Sequence, residues 1–107
     1  MADIEEGVLL HARAQVTIVE LSRASGLPEE VLRELVGYGA LEPADPAAPE
    51  WCFSAECVVR VRAAARLRGD LELETESVAL VLSFLERIAQ LEAELRHLRA
   101  QLAPPRR

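Results

Sequence analysis

The sequence predicts a mainly α fold: a helix-turn-helix, a small two-stranded wing beside it, and a long C-terminal dimerisation helix. Three observations predict it. Residues 17–43, TIVELSRASGLPEEVLRELVGYGALEP, read as two short amphipathic helices joined at a glycine-leucine-proline turn. A seven-residue apolar repeat runs from Val81 to Leu102. Only Tyr38, Trp51, Phe53 and Phe84 are aromatic, so the core must be built from Leu, Val, Ile and Ala, a composition that favours helices. The chain divides into a winged helix-turn-helix domain over 1–75 and a coiled-coil-like helix with its tail over 76–107.

Residues 1–7, MADIEEG, are polar. Residues 8–16, VLLHARAQV, partly alternate between apolar and polar and predict a short strand. His11 then falls on its solvent side. Thr17 with Glu20 three residues later forms a capping box, after which Ile18, Leu21 and Ala24 recur at helical spacing. Ser25-Gly26 ends that helix. Pro28 suits the first turn of the next one, where a missing N–H costs nothing. Val31, Leu32, Leu35 and Val36 give it an apolar face; Gly37 and Gly39 stop it, and Pro43 prevents resumption.

The stretch EPADPAAPE over 42–50 is a loop with no regular structure. WCF over 51–53 predicts a second short strand, able to pair with 8–16 as a wing. Ser54 reads as the N-cap of a helix over 55–68, whose apolar row is Val58, Val61 and Ala65 with Leu67 alongside. Gly69-Asp70 is expected to break it. Thr75 is the expected cap of a final helix over 76–102. Its seam alternates Val81, Ile88, Leu95 and Leu102 with Phe84, Leu91 and Leu98. Val78, Leu82 and Leu85 widen the apolar face at the start, where the helix is expected to pack on the body of the domain. Glu92 and Arg96 form an i,i+4 pair outside the seam, and His97 lies on the outer side. Leucines repeated this way would face water on a lone helix, so a homodimer is expected; the alternative is a seam folded back on its own domain.

Charge narrows the function. Residues 1–53 hold ten acids against three arginines, and residues 54–107 hold eight acids against nine arginines. The helix-turn-helix half is therefore strongly acidic, and a DNA duplex normally meets a basic footprint. Arg60, Arg62, Arg66 and Arg68 form the one basic cluster; a solvated face pairing with nearby acids is favoured there over a nucleic-acid site. No phosphate-binding glycine loop and no Ser/His/Asp or Cys/His set occurs, and His11 and His97 are the only histidines. Cys52 and Cys57 lack the further ligands a zinc site needs and read as reduced thiols. No apolar run is long enough to span a membrane and no signal peptide is visible, so a cytoplasmic protein without cofactor, metal or catalytic activity is expected.

The layout resembles two families. Helix-turn-helix, wing, arginine-bearing helix and terminal dimer helix look like the MerR-type winged-helix regulators, and FSAECVVRVRAAARLRGDLELETESVALVL resembles their second helical pair. Those regulators carry a basic, aromatic R-Y-Y-E type segment in the second helix, where this chain has LRELVGYGALEP. A DNA-binding transcriptional regulator is thus the alternative function. The chaperone modulatory CbpM family is the closer likeness. The shared features are Glu34-Leu35-Val36 with Gly39-Ala40-Leu41-Glu42-Pro43, then Trp51 and Phe53, then Arg66-Leu67-Arg68, then the terminal helix Leu91-Glu92-Ala93-Glu94-Leu95-Arg96-His97-Leu98-Arg99. That resemblance implies inhibition of a DnaJ-like co-chaperone of the CbpA type: binding of its J-domain and a block on stimulation of the DnaK-type chaperone. J-domains present a basic helix, which an acidic module could cover. The expected contacts are Glu29, Glu30 and Glu34, of which Glu30 and Glu34 share a helix face, with Tyr38 as an aromatic anchor and Glu42 and Asp45 on the adjoining loop. The alternative is a merely solvated helix face.

Overall fold

Thr17 closes a three-residue strand and opens a helix. In the computed structural model, which describes residues 15–102, the strand β1 is Gln15–Thr17 and the helix α1 is Ile18–Ser25. The capping box is formed: Glu20 N–H donates to Thr17 Oγ1 (3.1 Å) and Thr17 N–H to Glu20 Oε1 (2.8 Å). Gly26 ends α1 at φ 85°, a left-handed conformation that a side chain would strain, and its N–H donates to the Ser22 carbonyl. Two hydroxyls fasten the turn. Ser22 Oγ donates to the Leu27 carbonyl (2.6 Å), and Ser25 Oγ accepts from Leu27 N–H (3.2 Å). Leu27 is thereby held in the core.

Helix α2 is Glu29–Gly37. Pro28 sits at its cap in an extended conformation, one place before the expected first turn. Leu32 and Leu35 are fully buried, with Val31 and Val36 packed beside them. Tyr38 caps the end and Gly39 turns the chain at φ 82°, so that Ala40 N–H reaches back to the Leu35 carbonyl.

The loop that follows is pinned by Ala44 N–H to the Cys52 carbonyl (2.8 Å) and by Trp51 Nε1–H to the Pro46 carbonyl (3.2 Å). Strand β2 is Cys52–Ser54. It pairs antiparallel with β1, Val16 facing Phe53 across the ladder. The wing is thus real but shifted from the sequence expectation. Trp51 precedes its strand, and β1 as described covers Gln15–Thr17, reaching one residue past the expected 8–16. Residues 1–14, His11 among them, lie outside the described residues. A ribbon this small is marginal alone; here Phe53, 1% exposed, anchors it in the helical core.

Helix α3 is Cys57–Leu71 and helix α4 is Thr75–Leu102. Three boundary expectations are corrected. Ser54 does not cap α3: its Oγ accepts from Glu56 N–H in a turn before the helix, and Glu56 occupies the cap position without a side-chain bond. Gly69-Asp70 does not break α3, because the left-handed residue that stops it is Glu72 (φ 53°), and Leu73 N–H then bonds the Arg68 carbonyl. Thr75 lies inside α4 rather than capping it, since Val78 N–H donates to the Glu74 carbonyl.

The buried row of α3 is Cys57, Val61 and Ala64; Val58 and Ala65 flank it, and Leu67 faces outward, against expectation. Only the start of α4 docks on the body, through Val78, Ala79 and Leu82, with Val81 and Leu85 at the margin. Beyond it, no residue of α4 is buried. No described helix is long and apolar enough to cross a membrane.

Candidate functional site

Helix α2 turns Leu32 and Leu35 inward, and helical geometry then throws Glu30 and Glu34 outward together, one turn apart. Both are exposed, and neither forms an ion pair with a described residue. Glu29 differs. Its carboxylate lies 4.0 Å from the Arg33 guanidinium, which in turn stacks 5.6 Å from the centre of the Trp51 ring. Glu29 thus makes a half-exposed i,i+4 pair with the arginine that links α2 to Trp51.

Tyr38 projects at the end of α2, 54% exposed. Its hydroxyl is held above its ordinary pKa, first by loss of hydration, then by the carboxylates of Glu76 and Glu34. The structure therefore brings Glu34, Tyr38 and Glu76 together, and joins the first turn of α4 to the acidic face of α2. Glu76 was not foreseen. A glutamate in the first turn of a helix reads as a partner for the helix dipole, and nothing local signals a neighbour near residue 38. Because Tyr38 is the only tyrosine, this contact is directly measurable. Tyrosinate absorbance should titrate with a midpoint above about 10, and Glu76→Gln should lower it. The neutral phenol favours the folded state, so its stabilisation is full below the unfolded pKa and is lost as pH rises through the folded one. A midpoint at or below the ordinary value would dissolve the cluster.

Glu42 and Asp45 are placed elsewhere. Glu42 shares with Arg60 and Glu86 the lining of a cavity of about 190 Å³ between the end of α2, β2, α3 and α4. Asp45 Oδ1 accepts from Ala47 N–H at 3.0 Å, so its carboxylate shapes the loop. Below that cavity Cys57 is buried, which pushes its thiol pKa up against a smaller opposing effect of Arg60. Both cysteines are free. Among the described residues no group of three His, Cys, Asp or Glu side chains could hold a metal ion.

The seam of α4 is open to solvent. Phe84 is 59% exposed, Ile88 49%, Leu91 and Leu95 46% each, Leu98 52% and Leu102 83%, whereas Val81 leans on the core. It does not fold back on its own domain. Two apolar residues per turn-pair, repeated over the length of the free helix, leave a continuous unpartnered stripe.

Comparison with known proteins places this geometry. The family model described as MerR HTH family regulatory protein matches residues 16–100. The chaperone modulatory protein CbpM of Escherichia coli O1:K1 / APEC is 37% identical over 87 residues, covering 81% of this chain and 86% of that protein. The CbpM proteins of Escherichia coli O45:K1 (strain S88 / ExPEC) and O139:H28 (strain E24377A / ETEC) match to the same extent. These relatives are named as modulators and regulators, not as enzymes. The fold and a match of this extent agree: the chain belongs to the MerR helix-turn-helix family and, within it, to the chaperone modulatory proteins CbpM.

Proposed function

We propose that this protein modulates a chaperone system by binding the J-domain of a DnaJ-like, CbpA-type co-chaperone and blocking its stimulation of the DnaK-type chaperone. The observation that carries the reading is the exposed acidic face of α2, Glu30 and Glu34, unpaired among the described residues and extended by Tyr38 and by Glu76 from α4. A basic helix laid on it would meet charge complementarity, with Tyr38 as the aromatic anchor. Glu29 is held by Arg33, while Glu42 and Asp45 form an outer edge of the contact. The action is occlusion, in the cytoplasm, with no cofactor and no chemical step. Two copies joined along the α4 seam from Val81 to Leu102 form the working unit.

Titration of the purified protein against the isolated J-domain tests this at low and high salt. Binding that weakens steeply as salt rises is expected, since exposed charges are screened beyond about 8–10 Å near physiological ionic strength. A folded protein that ignores the J-domain at low salt would sink the reading.

The MerR match supports one other reading, a DNA-binding regulator. In such proteins the second helix of the motif enters the major groove. Here that helix is α2, and it carries Glu29, Glu30 and Glu34 against a single arginine, Arg33. Retention of duplex DNA at low salt, dependent on Arg60, Arg62, Arg66 or Arg68, would favour it.

A further inference from the structure

On the side of α1 and α3, the chain gathers its positive charge. Arg23 in the last turn of α1 and Arg62, Arg66 and Arg68 of α3 surround one trough of about 450 Å³. No carboxylate among the described residues comes within 4 Å of any of the four guanidiniums. Among the described residues the pairing with nearby acids expected for this cluster is not formed there, and a chain of net charge −6 keeps a local concentration of arginine. The floor is made of small residues. Gly26 forms the turn, Ala24 and Ala65 line the two helices, and Gly69 sits inside α3, where alanine would stabilise the helix by about 1 kcal/mol. A Cβ at Gly26 or Gly69 would meet nothing within 4 Å, so packing does not account for the space.

We propose that this trough is a binding site for a small polyphosphate anion, of the class of inorganic triphosphate or the triphosphate of a nucleotide. Guanidinium groups hold phosphate oxygens through paired N–H donors, and four of them match the charge of one triphosphate. A small anion suits the surroundings better than a nucleic acid. A duplex would have to extend past the trough onto a chain whose remaining surface is acidic, and four arginines neutralise only a few phosphates. Arg60 takes no part, because it lines the separate cavity with Glu42 and Glu86. The proposal is independent of the acidic face of α2.

Calorimetric titration of the full chain with inorganic triphosphate at low salt tests it. The expected result is one anion per chain, bound roughly tenfold or more weaker by the Arg62→Ala/Arg66→Ala variant and unchanged in Arg60→Ala. Arg62 and Arg66 are exposed, so the fold should survive, which circular dichroism checks. Arg62→Lys/Arg66→Lys keeps the charge but loses the paired donors, and should fall between. Adenosine triphosphate in place of inorganic triphosphate shows whether a nucleoside adds affinity. Absence of binding by the folded protein, binding that the alanine pair leaves intact, or a short DNA duplex that displaces triphosphate at equal phosphate concentration would each overturn it. The alanine pair should bind the J-domain as the parent does, which separates this outcome from the fate of the chaperone reading.

Discussion

A Leu91→Glu/Leu95→Glu variant is expected to be monomeric at concentrations where the parent chain sediments as a dimer. Both leucines are half exposed in the single chain and lie well past Leu82 and Leu85, the last contacts of α4 with the core. Full burial of an exposed leucine is worth about 1.5–3 kcal/mol; these are half covered already, so each of the four that meet in a dimer gains about half of that. The sum, about 3–6 kcal/mol, is a large share of the free energy of a micromolar association, about 8 kcal/mol. Carboxylates in the seam add a desolvation penalty. The body of the domain should keep its thermal transition, because neither residue touches it. The helical signal should fall, since the stretch from Glu86 to Leu102 alone is near the ~12–15 residues at which an isolated helix is marginal in water. Sedimentation equilibrium decides: a parent chain that is monomeric, or a variant that remains dimeric, removes the seam as the interface.

What could be read from the sequence was whatever depends on near neighbours. The Thr17–Glu20 box, the left-handed Gly26 and the seven-residue seam are local rules, and each stands in the structure. The same rules misled at Gly69-Asp70. Two poor helix formers cost about 1–2 kcal/mol together, and α3 nonetheless runs on to Leu71, ending only where Glu72 takes the left-handed conformation. Charge clusters formed across helices were out of reach altogether. Glu76 joins Tyr38 from another helix, and Arg23 joins Arg62, Arg66 and Arg68 across roughly forty residues of chain. Composition gave the acidic and basic halves; only the packing of α1 against α3, and of α2 against α4, turns them into two separate faces.

Glu30→Lys with Glu34→Lys is expected to abolish J-domain binding at low salt, a loss of about a hundredfold or more. Both side chains are exposed and unpaired among the described residues, so the change reaches the surface without disturbing the core. Each reversal removes an attraction and installs a repulsion facing the same basic helix. An exposed charge pair is worth up to about 1 kcal/mol, and a reversal counts it twice, so each altered contact shifts binding by up to about 2 kcal/mol and the two together span about two factors of ten, at 1.4 kcal/mol apiece. A lysine in the first turn opposes the helix dipole, so a drop in stability of about 0.3–1 kcal/mol is expected and is too small to unfold the chain. Glu29→Lys should do less to binding, because Glu29 has Arg33 as a cationic neighbour, and its cost should appear instead beside the Arg33–Trp51 contact. The gap between variant and parent should close as salt rises, since screening erases what reversal inverts. A folded double variant that keeps parental affinity at low salt would mean that the partner is recognised through some other face, and that the acids of α2 are only its solvated edge.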